Sequence, residues 1–408
     1  MSLMIVGRKN DDQIGEFHHF YETDERTVVS VSKRNNKKNG PIAAPFGLQI
    51  PSALRDPTDV SFSEIELMRM SNDDQARDFA LGHIHDHEQF AALWNSTRLR
   101  PNTRRWMRKV VQIQTINAIY NHFYRLPNGT KIHLDKQRMA QAARITRRYR
   151  NDHIYNIDSQ LQFSSTIFVV NGDCLDVALC FKTRFPHSNP VVLNMASKNK
   201  PGGGWKNGAG AQEENLHRRT NLCQCLEDPY HEFDSVRSEN YYVPEFGGMY
   251  SPGVSVFRGS ETNGYPFFPD GPKYLSFISC AAYSDPPTET DSDGKLKLCG
   301  KNIIENTKKK MSAICSMALE NRHDILVLSA MGCGVFKNPP NHMAQLFQEV
   351  ISRDYHTSFK YIVFAIIDDH NSHKSHNADG NVQPFADVFK VPALSLDELQ
   401  QTLSQLND

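Results

Sequence analysis

Val191-Val192-Leu193-Asn194-Met195-Ala196, followed by Pro201-Gly202-Gly203-Gly204-Trp205-Lys206-Asn207-Gly208-Ala209-Gly210-Ala211-Gln212-Glu213-Glu214, is the stretch that decides the fold. The apolar run reads as a buried strand, and the glycine turn lies at its carboxyl end. Open α/β sheets bind ligands at that end. Three glycines let backbone N–H groups approach a ligand that a Cβ would hold off. Seven residues later an amide and two carboxylates begin a helix. Adjacent helical residues project about 100° apart, so one Glu at most points straight at a reacting bond. A Glu pair at a helix start also complements the helix dipole, which is the plainer reading.

Further apolar runs recur on either side of this stretch. Ile167–Val170, Leu275–Ala282, Ile325–Ala330 and Tyr361–Ile367 read as strands. Helix-length segments at 174–185, 212–226, 302–321 and 341–353 separate them, and Ser395 with Glu398 forms a capping box for a last helix. The alternation predicts an α/β/α sandwich with a mixed, mostly parallel sheet. Residues 227–274, rich in Tyr, Pro and Gly, read as a long surface excursion.

A second glycine cluster, Met331-Gly332-Cys333-Gly334-Val335-Phe336, also follows a strand and precedes a helix. That arrangement can hold phosphate on free N–H groups and the positive end of a helix. Neither cluster has the Gly-Lys-Ser/Thr of a triphosphatase loop, nor GxGxxG in a strand-to-helix setting. Each alone is also what a tight turn requires. Together they suggest one diphosphate-containing ligand lying across the top of the sheet.

The amino-terminal part differs in pattern. Residues 1–95 are mixed and polar, with a basic run at Lys33–Lys38, and read as a flexible extension or a partner-binding segment. Trp106, Val110, Ile113, Ile116, Tyr120 and Phe123 recur at helical spacing, with Asn102 or Thr103 as a start signal. Leu126-Pro127-Asn128-Gly129-Thr130 then predicts a small hairpin, and a second helix follows near 135–149. Residues 96–155 thus form a helical lead-in to a layered domain over 156–408.

Bulk properties exclude several classes. Lys+Arg and Asp+Glu balance at 46 each, so no basic footprint for duplex nucleic acid is expected. No apolar run is long enough to span a membrane. Eight scattered cysteines without CxxC pairs fit reduced thiols in an intracellular, cytoplasmic protein. His83, His85 and His87, like His370, His373 and His376, read as solvated polar residues, so no metal and no cofactor is expected. Cys333 on its glycine loop has no base in sequence reach.

The string Gly202–Glu214, three glycines and then Gln-Glu-Glu after seven residues, resembles the signature of the microbial-type poly(ADP-ribose) glycohydrolases. Glu213-Glu214-Asn215-Leu216-His217-Arg218-Arg219, Met249-Tyr250-Ser251-Pro252, Val256-Phe257-Arg258 and Gly332–Phe336 are similar to that family too. Lys206 and Gly210 depart from its usual pattern. The resemblance implies a macrodomain with added amino-terminal helices, acting on poly(ADP-ribose) or ADP-ribosylated proteins. It implies Glu214 as general acid and then base, with Glu213 holding ribose hydroxyls. Gly202, Gly203, Gly204, Asn194 and Gln212 would line the ribose and diphosphate. Gly332, Cys333, Gly334, Val335 and Phe336 would wrap the diphosphate. Asp173 would recognise the adenine amino group, although a helix N-cap is an equal reading. Phe364 and Tyr283 are the aromatic candidates for stacking on adenine. The alternative function is a reader macrodomain that binds ADP-ribose without cleaving it.

Overall fold

The computed structural model describes residues 54–61, 63–96, 100–157, 163–227, 241–368 and 372–406. The basic run at Lys33–Lys38 lies outside them, as does His370. Three short helices come first, α1 (Glu64–Arg69), α2 (Asp73–Gly82) and α3 (His87–Trp94). Ser63, Asn72 and Asp86 cap them, each accepting a backbone N–H. Next come α4 (Pro101–Asn121), a hairpin of β1 (Phe123–Arg125) and β2 (Lys131–His133), α5 (Lys136–Ile145) and β3 (Arg147–Tyr149). The layered part runs β4 (Thr166–Asn171), α6 (Cys174–Arg184), β5 (Pro190–Met195), α7 (Gln212–Arg219), α8 (Leu222–Leu226), β6 (Gly248–Val256) and β7 (Lys273–Cys280). It continues with a second hairpin of β8 (Thr288–Thr290) and β9 (Leu296–Leu298), α9 (Lys301–Glu320), β10 (Ile325–Leu328) and α10 (Pro340–Val350). It ends with β11 (Tyr361–Ile366), α11 (Gln383–Phe389), β12 (Ala393–Ser395) and α12 (Leu396–Gln405).

Eight strands form one sheet in the order β12-β4-β11-β10-β5-β7-β6-β3. Every neighbour from β12 to β7 is parallel, and β6 and β3 pair antiparallel. Successive side chains alternate between two cores, as the period of a strand requires. Leu326, Leu328, Ile362 and Phe364 face α9, α10 and α11. Ile325, Val327, Tyr361 and Val363 face α6 and α12. The expected α/β/α sandwich is therefore what the chain forms.

The differences from expectation have local causes. The stretch 227–274 contains β6, a paired strand inside the sheet. Pro252-Gly253 hides it in the sequence; here the ladder shifts register between Ser251 and Val254, and Gly253 takes φ +61°. Helices α1–α3 occupy 64–94, within the stretch read as a polar extension. Their apolar residues Leu67, Phe79, Phe90 and Trp94 pack on Met107 and Val110 of α4. Helix α4 starts two or three residues earlier than Asn102 or Thr103 as N-cap would place it, with Arg100 as N-cap and Pro101 in the first turn. It is buried on nearly all sides from Lys109 to Ile119. The segment 212–226 is two helices, α7 and α8, broken at Thr220-Asn221.

Candidate active site at the carboxyl edge of the sheet

Strands β5 and β10 are parallel neighbours, with Val192 opposite Val327. The two glycine loops therefore leave the same edge of the sheet side by side. Asp173 follows β4 at that edge, one strand beyond β11.

Gly202 and Gly203 take φ +72° and +56°, which L side chains rarely adopt. The turn they make closes on the carboxylates. Gly202 N–H donates to Glu213 Oε1 at 3.0 Å, and Ser197 N–H to Glu213 Oε2 at 2.7 Å. Gly204 N–H donates to Glu214 Oε1 at 2.9 Å. A Cβ on Gly203 would sit 2.6 Å from Glu214 Oε1, so only glycine lets the turn approach this closely. The N–H of Gly203 is held by Lys200 O at 2.9 Å. The turn's N–H groups thus bind the protein's own carboxylates and backbone, which corrects the expectation that they are free for phosphate.

Both glutamates are buried. Burial pushes the Glu213 carboxyl well above its ordinary range; the Glu214 charge adds to this, while the Ser197 and Gly202 N–H groups and Asn194 oppose it. Glu214 Oε2 is buried and finds no hydrogen-bond partner among the described residues. A carboxyl fixed through one oxygen, with its other oxygen sheltered and unspent, is equipped to exchange a proton with a bound group.

Gln212 serves the scaffold. Its Oε1 accepts from Met195 N–H at 2.8 Å and its Nε2 donates to Leu193 O at 2.7 Å, lashing α7 to β5. Asn194 is fully buried and donates to Ser279 Oγ at 2.9 Å.

The second loop behaves differently. Gly332 takes φ +76°, and a Cβ there would meet Asn338 Nδ2 at 2.5 Å. Asn338 binds the carbonyls of Tyr283, Gly332 and Phe336 and so fixes the turn. Among the described residues, no group accepts from the N–H of Gly334, Val335 or Phe336. Val335 is exposed, and Cys333 is buried with its thiol pushed up by burial. Of the two loops, this is the one whose backbone N–H groups are left unspent, as a phosphate cradle requires.

Asp173 caps α6, its Oδ1 accepting from Leu175 and Asp176 N–H. The same oxygen lies 2.7 Å from Nη1 of the fully buried Arg219, whose Nη2 donates to Asp176. Phe364 cannot stack on an adenine here, since it is fully buried among Phe347, Phe385 and Phe389. Tyr283 donates its hydroxyl to Glu245. His85 is buried against Gly264 O at 2.7 Å and beside the rings of Phe90 and Phe267, not solvated. Among the described residues no cluster of His, Cys, Asp or Glu has the geometry of a metal site.

Lys206 finds its counter-charge in buried Glu227 at 2.6 Å, which also accepts from Trp205 Nε1 at 2.9 Å. His217, its ring tilted against Trp205, hydrogen-bonds Glu213 O through Nδ1 at 2.9 Å. Nothing in the sequence marked His217, Arg218 or Arg219 as buried; charged residues in the last turn of a short helix usually face water.

Burial holds the His217 imidazole down to about 3 and that of His323 down to about 4. A histidine held neutral when folded but free to ionise when unfolded loses stability as pH falls below about 6.5. Glu213, shifted the opposite way, partly offsets this by gaining stability over the same fall. Each histidine contributes a loss of about 2 kcal/mol between pH 7 and pH 5. Urea unfolding of His217→Gln and of His323→Gln at the two pH values is expected to show a shallower loss than wild type by about that amount. An unchanged loss would mean the imidazoles titrate normally.

A mostly parallel sheet carrying two glycine loops and a buried carboxylate pair at one edge defines a macrodomain-like α/β protein. Residues 113–259 match the family model described as microbial-type PARG, catalytic domain. The chain is similar to the poly(ADP-ribose) glycohydrolase from Thermomonospora curvata bound to the inhibitor ADP-HPD. The two share 26% identity over 69% of this chain and 98% of that one, with a TM-score of 0.53. A further structure of the Thermomonospora curvata enzyme is 25% identical over 69% of this chain and 99% of that one, with a TM-score of 0.52. No curated protein matches the chain. The resemblance to the microbial-type poly(ADP-ribose) glycohydrolases is borne out, and these matches support a glycohydrolase enzyme. No helix among the described residues is long and apolar enough to cross a membrane.

Proposed function

We propose that this enzyme hydrolyses the ribose–ribose O-glycosidic bonds of poly(ADP-ribose), releasing ADP-ribose. The observation that carries the reading is Glu214, anchored by Gly204 N–H through Oε1 with Oε2 unspent. Protonated on Oε2, Glu214 donates to the leaving ribose oxygen as the anomeric C–O bond breaks. The resulting carboxylate takes a proton from water, whose oxygen bonds to the anomeric carbon, and Glu214 is restored. Each Glu213 oxygen accepts one N–H bond and keeps a lone pair for a ribose hydroxyl. Gly334, Val335 and Phe336 offer N–H groups to the diphosphate, with Gly332 and Cys333 forming the turn beneath them. Asp173 Oδ2, which carries none of the N-cap bonds, accepts from the adenine amino group in this reading.

Polymer is the substrate, with mono-ADP-ribosylated side chains as a second class taken by the same acid. All eight cysteines are free thiols, which supports a reducing, intracellular setting. Incubation of the full chain with poly(ADP-ribose), followed by chromatography, is expected to show free ADP-ribose. Calorimetric binding of ADP-ribose with no release from polymer or from mono-ADP-ribosylated protein would instead establish a reader.

A further inference from the structure

Arg108 of α4 lies outside the stretch that matches the glycohydrolase family model, and so does Glu261. They form a sheltered, two-pronged pair. Arg108 Nε and Nη2 donate to Glu261 Oε1 and Oε2, each at 2.8 Å, and the side chains are 12% and 16% exposed. Burial raises the Glu261 carboxyl, but the Arg108 hydrogen bonds and charge outweigh that and hold it below its usual range. The Tyr265 hydroxyl donates to Glu261 Oε1 at 2.6 Å and accepts from Arg218 Nε at 2.9 Å. Arg218 Nη1 in turn donates to Ala209 O at 2.8 Å. A Cβ on Gly210 would fall 2.0 Å from Arg108 Cζ, so the guanidinium lies directly against the backbone there.

The short segment Ala209-Gly210-Ala211 is therefore contacted by two guanidinium groups that share one acid–phenol node. It needs this support, because Ala211 is the N-cap of α7 and offers no side chain to cap the helix. Glu213 and Glu214 lie in the first turn of α7. Any shift of the segment moves the acid.

We propose that the Arg108–Glu261 pair is a positioning element of the glycohydrolase site, setting through Gly210 and Arg218 the start of the helix that carries Glu214. Helix α4, which stands on α1–α3, thereby becomes part of the catalytic apparatus. This rests on the function proposed above.

The test measures poly(ADP-ribose) turnover by the full chain as wild type, Arg108→Met and Glu261→Gln, per ADP-ribose-binding site counted by calorimetry. Displacement of a reacting group by about 1 Å costs up to about 100-fold, so a fall in kcat of about tenfold or more is expected, with KM close to wild type. Gly210→Ala is expected to lower kcat in the wild-type background and to add nothing in Arg108→Met. If Arg108→Met does not fold, Glu261→Gln, nearly isosteric, gives the same reading. Unchanged kcat per binding site in Glu261→Gln, or a loss confined to KM, overturns the positioning role alone. A wild-type chain that releases no ADP-ribose overturns the functional reading, and the positioning role with it.

Discussion

Glu214→Gln is expected to lower ADP-ribose release by about 10³-fold, the middle of the range for removing a general acid and base. The amide keeps an oxygen for Gly204 N–H, so the bond that anchors the turn persists. It cannot give up a proton to a leaving oxygen or take one from water. Binding of ADP-ribose, assigned above by proposal to the Gly332–Phe336 loop, is expected to stay near wild type. This separates chemistry from affinity: kcat falls while the calorimetric dissociation constant holds. Turnover equal to wild type would remove Glu214 from the reaction.

The second large effect is on stability. Arg219 is fully buried between Asp173 and Asp176. Its charge opposes the burial that would otherwise raise the Asp176 carboxyl further. Arg219→Met leaves two acidic groups of α6 without their counter-charge, and removing one partner of such a cluster costs about 3–5 kcal/mol. Urea denaturation at pH 7 is expected to show a loss of that size. A loss below about 1 kcal/mol would mean that water reaches the aspartates and screens them. Because Asp173 begins α6 at the sheet's carboxyl edge, the same variant is expected to weaken ADP-ribose binding.

The parts of the fold that could be read from the chain are those where neighbours in sequence share a fate. The runs at β4, β5, β7, β10 and β11 are apolar on both faces because both faces are covered, and such runs announce themselves. The Asn128-Gly129 hairpin and the Ser395–Glu398 capping box are local and were equally plain. Strand β6 was not, because Pro252-Gly253 interrupts its pattern and the bulge that absorbs them depends on pairing with β7. The burial of α4 was hidden for a related reason. Thr115 and Asn117 look like surface residues until their partners appear, Arg218 O at 2.6 Å and Arg55 O at 2.9 Å. At the site, the glycines and glutamates were legible as a group. Their mutual hydrogen bonds were not, since spacing alone does not say whether an N–H faces a ligand or a carboxylate ten residues on. Arg108 and Glu261 are 153 residues apart, and only the folded chain joins them.

Both outermost strands of the large sheet are only three residues long, β12 on one side and β3 on the other. A bare strand margin is a template on which a foreign chain can polymerise. Here each margin offers barely one repeat of the ladder, and the β3 margin also bears Arg147 and Arg148, whose charges repel a like neighbour. The short outer strands and the β3 arginines therefore work against fibril growth along the sheet.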